Sequence, residues 1–62
     1  MAIATQYMVR SQDMTTGKLE TASYDNLEYA KIHYNGFDTR NDNRLVKIEQ
    51  HKGQTVYTDL QV

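Results

Sequence analysis

The chain has no cysteine, only three glycines, two histidines and almost no net charge, at −1 from seven Lys and Arg against eight Asp and Glu. Without cysteine there is neither a disulfide nor a thiolate metal site, and His33 and His51 stand too far apart in sequence to suggest zinc. The glycines, Gly17, Gly36 and Gly53, are isolated, so no phosphate-cradling loop is spelled out. A near-neutral charge gives no general pull toward nucleic-acid backbones, although it leaves room for a local basic patch. No apolar run approaches the roughly 20 residues of a membrane span, and MAIATQYMVRSQ lacks the apolar core of a signal peptide. The expectation is a soluble, cytoplasmic protein with no cofactor and no membrane partner.

At 62 residues there is room for one domain. A chain of this size buries only about 60% of its unfolded surface, so an economical core or oligomerisation must supply the stability. The apolar fraction of 39% is below the globular average, yet Tyr, Ile, Val and Leu recur in alternation, which points to order.

The most informative stretch is Ser23 to Phe37, SYDNLEYAKIHYNGF. Asp25 followed three residues later by Glu28 resembles a capping box, with both carboxylates at the positive end of the helix dipole. Tyr24 and Tyr29 are spaced for a hydrophobic staple. At the other end Asn35-Gly36 offers a residue free to take positive φ, with Phe37 as a clamp on the last turn. The helix is predicted from about Asn26 to Asn35. Leu27, Ala30 and Tyr34 share one face with Lys31 beside them, while Tyr29, Ile32 and His33 point largely the other way. Two arrangements fit: Tyr29 and Ile32 turn inward, or one helix face enters the core and the other meets a second chain.

Strand patterns surround the helix. In Ile3 to Ser11, Ile3, Thr5, Tyr7 and Val9 alternate with Ala4, Gln6, Met8 and Arg10. Gln12 to Lys18 is a polar hairpin loop, and Leu19 to Ser23 returns as a second strand. Asp38 to Asn43, DTRNDN, is a loop of turn-forming residues that lacks the Gly and distal Glu of a calcium loop. Arg44 to Gln50 is a third strand, Lys52-Gly53 a tight turn, and Gln54 to Val62 a fourth strand with Val56, Thr58, Leu60 and Val62 on one face. The predicted fold is therefore α+β: a two-layer ββαββ domain, its four-stranded, mainly antiparallel sheet packed on one helix. The expected core is Ile3, Tyr7, Val9, Leu19 or Ala22, Leu27, Ala30, Tyr34, Val46, Ile48, Val56 and Leu60. Strand order stays open, because it depends on how the two hairpins meet.

Chemistry is sparse. His33 has Asp25, Glu28 and Lys31 nearby in sequence, but Glu28 is off the helical three or four spacing; His51 sits beside a turn. Ser11 and Ser23 have no nucleophile elbow. The sequence points away from an enzyme and toward a binding surface. If the core assignments hold, the sheet face away from the helix presents Met8, Arg10, Leu45, Lys47, Glu49, His51, Tyr57 and Asp59, a composition like that of a protein interface. The expected anchors for a protein partner are Met8, Arg10, Leu45, Lys47 and Tyr57, or Tyr29 and Ile32 on the helix, in a chain that forms a homodimer. The alternative is a nucleic-acid surface around Arg40, Arg44, Lys47, Lys52, His51 and Tyr57, with Asp38, Asp42, Glu49 and Asp59 interleaved. In size, lack of cysteine and lack of a catalytic motif, the chain resembles the small accessory proteins with which bacteria and their phages modulate larger machines.

Overall fold

The computed structural model describes residues 4–60; Ile3, Gln61 and Val62, which the sequence reading assigns to strands, lie outside them. Four strands, β1 (Ala4–Gln12), β2 (Leu19–Tyr24), β3 (Asp42–His51) and β4 (Gln54–Asp59), form one antiparallel sheet in the order β2-β1-β3-β4. The helix α1 (Leu27–Asn35) packs on one face, giving the expected ββαββ α+β fold.

The two hairpins are staggered. β2 pairs with β1 from Tyr7 to Gln12, whereas β4 pairs with the other half of β3, from Val46 to His51. The helix rests on β2, β1 and β3 and makes no contact with β4. Half of the sheet therefore extends beyond the helix, and the molecule is elongated, at 43 × 21 × 17 Å.

Both hairpin turns follow from local chemistry. In the first, Asp13 Oδ1 accepts the backbone N–H groups of Thr15 and Thr16 at 2.8 and 3.2 Å, and Gly17 takes φ +77°. In the second, Lys52 (φ 34°) and Gly53 (φ 81°) are both left-handed, as a two-residue turn of type I′ requires. Lysine bears a steric cost there that asparagine largely escapes. Lys52→Asn is expected to stabilise the fold by about 1 kcal/mol, raising the thermal midpoint by about 4–8 °C in calorimetry.

The helix begins one residue later than its capping-box reading. The N-cap is Asn26, whose Oδ1 accepts from the Glu28 N–H at 2.8 Å, and not Asp25. An Asx side chain caps best with the N–H two or three residues on, and Asn26 stands in the extended conformation that aims it there. The Tyr24–Tyr29 staple is likewise absent: Tyr24 turns to His33, with its hydroxyl 2.8 Å from Nδ1, and Tyr29 is exposed. His33, expected toward solvent, is instead half-buried between Tyr24 and Phe37, with ring centroids at 5.7 and 4.8 Å. Gly36 does not use positive φ. It stays right-handed at φ −84°, and the helix tightens out through N–H donations from Gly36 to His33 O and from Phe37 to Tyr34 O.

The core is small. Val9, Ala30 and Leu45 are fully enclosed, and Tyr7, Ala22, Tyr24, Leu27, Tyr34, Phe37 and Leu60 pack against them. Leu27, Ala30 and Tyr34 thus form the inward helix face, and Ile32 and Tyr29 stay outside, at 69% and 61% exposure. The β3 assignment needs correction by one residue. Cross-strand partners share a face, and Leu45 stands opposite Val9, so Leu45, Lys47, Glu49 and His51 are on the helix side while Val46 and Ile48 lie on the open side. Val56 also faces the helix side but is 40% exposed, because α1 does not reach that end. Leu19, the alternative to Ala22, is exposed.

The loop between α1 and β3 is held by polar contacts. Asp38 accepts both the backbone N–H and the guanidinium of Arg40, the closest contact being 2.8 Å. Ser11, nearly sealed from solvent, donates to Asn43 Oδ1 at 2.6 Å and accepts from Asn41 Nδ2 at 3.1 Å, while Asn43 Nδ2 donates to Asp38 O at 2.8 Å.

Arg40 holds the Asp38 carboxyl down at about 2, first through its side-chain hydrogen bonds and then through its backbone N–H. Asp13 is also lowered, by the N–H groups of Thr15 and Thr16. Both bind protons less readily folded than unfolded, so their stabilisation is complete above the unfolded value of about 4 and is lost as pH falls toward about 2. The urea midpoint is expected to fall across that window, and Asp38→Asn to flatten part of the fall.

Candidate protein-binding surface

Strand alternation decides what the open face of the sheet displays. On β1 it carries Gln6, Met8 and Arg10; on β3, Arg44, Val46 and Ile48; on β4, Thr55, Tyr57 and Asp59. Met8 lies opposite Val46 and Ile48 opposite Tyr57, so four apolar side chains from three strands form one patch. Val46, on the central strand β3 between Met8 and Asp59, is only 8% exposed even though no described element covers this face, while Tyr57 stands out at 67%.

Beside the patch, Arg10 and Arg44 are direct cross-strand partners. Like charges opposite one another in an antiparallel pair are destabilising. Arg44 has a carboxylate near it, Asp42 Oδ1 at 3.6 Å, and Arg10 has no ion pair among the described residues. The arrangement presents two guanidinium groups at the margin of an apolar surface.

Among the residues expected to bind a partner, Met8, Arg10 and Tyr57 come together here. Leu45 does not: it is 2% exposed, beneath the helix side of the sheet. Lys47 is on that same side, 3.8 Å from Glu49, which also lies 3.6 Å from His51. Tyr29 and Ile32 form a second exposed apolar pair on the outer face of α1. Val46, Ile48 and Arg44 replace Leu45 and Lys47 on the open face. Their signal in the sequence is the second phase of alternation in RLVKIEQ, which carries two β-branched residues.

The cations considered for nucleic acid are dispersed. Arg44 is on the open face, Lys47 on the opposite one, Arg40 in a loop against Asp38, and Lys52 at the β3–β4 turn. Among the described residues no group of three or more His, Cys, Asp or Glu is gathered to hold a metal ion, and no helix is long and apolar enough to cross a membrane.

Fold and surface together define a small α+β protein whose helix covers half of one sheet face and whose other face bears an apolar patch edged by two arginines. In comparison with known proteins, no family model, curated protein or solved structure matches the chain.

Proposed function

We propose that this chain is a small non-enzymatic binding module that acts as a homodimer in the cytoplasm, occupying a surface of a partner protein in the manner of bacterial or phage accessory proteins. The observation that carries this reading is the Arg10–Arg44 pair beside the Met8, Val46, Ile48 and Tyr57 patch, on a face that no described element covers. Two opposed cations work against sheet stability, and a partner with carboxylates around an apolar centre relieves that repulsion while covering Tyr57. Aromatic and arginine side chains are the types that dominate binding energy at interfaces.

The test is retention of proteins from source-cell extract on immobilised chain, compared among the wild type, Ile48→Ser and Ile32→Ser, with and without nuclease. A specific partner lost with Ile48→Ser and kept with Ile32→Ser supports the open face. The reverse pattern moves the site to the outer face of the helix. Retention that vanishes with nuclease transfers the reading to nucleic acid around Arg44, Lys47 and Lys52.

A further inference from the structure

β4 is an edge strand exposed along its whole length, and its six residues, QTVYTD, include no lysine, proline or glycine. Natural sheets usually blunt such an edge with charged side chains, lysine above all, with proline, with a bulge or with a covering element, and β4 carries one charge, Asp59 at its end. The helix ends its contacts at β3 and leaves β4 uncovered.

The direction of the free hydrogen-bonding groups can be read from the pairing. Leu60 N–H donates to Leu45 O at 2.9 Å, so the backbone groups of alternate residues back along β4, Thr58, Val56 and Gln54, also point to β3. Those of Thr55, Tyr57 and Asp59 point outward. An antiparallel copy of the same strand, related by a two-fold axis perpendicular to the sheet, must pair residues of equal parity so that each side chain keeps its face. Centring the axis on Tyr57 meets both conditions at once. Tyr57 then faces Tyr57 of the second copy, Thr55 faces Asp59, and all three outward-pointing residues fall in hydrogen-bonded pairs. Val56 faces Thr58 in the closely spaced pairs between them, and the lone carboxylate of the strand meets a hydroxyl instead of its own copy.

We infer that the partner seated on β4 is a second copy of this chain, paired antiparallel about Tyr57 to form a continuous eight-stranded sheet. The inference rests on the homodimer part of the proposed function and supplies its geometry. It gives Tyr57 and Val56, which are 67% and 40% exposed in the single chain, cross-strand neighbours on the second copy. It also aligns Ile48, Tyr57 and their two counterparts in one row across four strands, so the open faces of both copies merge into a single apolar surface. The opposite edge offers less: β2 brings Leu19, Thr21 and Ser23 to the open face, and its one apolar side chain there, Leu19, stands at the strand's end opposite Gln12, apart from Met8.

Because the chain has no cysteine, single cysteines report pairing without interference. Val56→Cys and Thr58→Cys variants of the chain are prepared separately, then studied under mild oxidation alone and mixed, alongside solution mass by light scattering over a range of concentrations. The expected result is a dimer for the wild type, a disulfide-linked Val56→Cys/Thr58→Cys heterodimer in the mixture, and little covalent dimer from either variant alone. Tyr57→Pro deletes an outward N–H while leaving those that bond β3, and is expected to bring the solution mass down to that of one chain with the far-UV spectrum retained. A wild type that is monomeric at every concentration overturns the inference and the homodimer reading together. A stable dimer that forms no mixed disulfide overturns the edge pairing alone and leaves the homodimer reading standing.

Discussion

Leu45→Ala is expected to leave the chain barely folded. Leu45 is 2% exposed and closes the core with Val9 and Ala30, so its truncation leaves a cavity in a cluster that has few other members. Such a change costs about 2–5 kcal/mol, against a total of about 3–9 kcal/mol for a domain of this length. The thermal midpoint should fall by at least about 10 °C, with a proportionate drop in the urea midpoint. Ile48→Thr, three residues on and on the open face, should cost less than about 1 kcal/mol, because threonine keeps the β-branched shape and no described element packs over it. A larger loss for Ile48→Thr than for Leu45→Ala would mean that β3 presents its other face to the helix.

Asn43→Ala is expected to cost about 1–3 kcal/mol, the usual range for orphaning a buried polar partner. The buried Ser11 hydroxyl loses its acceptor at 2.6 Å, and Asp38 O loses a donor that ties the α1–β3 loop to the start of β3. The effect should not add to that of Ser11→Ala. Once the hydroxyl is gone, nothing remains to be orphaned at that position, so the double variant should be less destabilised than the sum of the single ones. Denaturant titration of the four proteins measures the coupling, and strict additivity would show that the Ser11–Asn43 contact contributes nothing.

Local chemistry made some parts of the fold legible. Asp13 with Gly17, and Lys52 with Gly53, mark turns because an Asx side chain bonds its own backbone and because glycine tolerates positive φ. Helical spacing grouped Leu27, Ala30 and Tyr34 on one face and Tyr29 and Ile32 on the other, and the packing of α1 on the sheet decided that the first group turns inward. The cap was harder to read, since Asp25 and Asn26 are adjacent and both can cap. Backbone direction decided for Asn26.

The surface was legible in part, on β1 and β4. Met8, Arg10 and Tyr57 follow from strands in which only one phase of alternation is strongly apolar or β-branched. In RLVKIEQ both phases carry apolar residues, Leu45 in one and Val46 and Ile48 in the other, so composition favours the phase that the fold turns away from the helix. Pairing with β1 resolves it by setting Leu45 against Val9.

From its residues alone this chain was bound to make two hairpins, one amphipathic helix and little core, because each of those depends on neighbours close in sequence. The order β2-β1-β3-β4, the stagger that leaves β4 without a helix, the phase of β3 and the meeting of Arg10 with Arg44 belong to the tertiary structure. They depend on contacts between segments that are distant in the chain, and a shift of one residue in such a pairing exchanges the buried face of a strand for its open one.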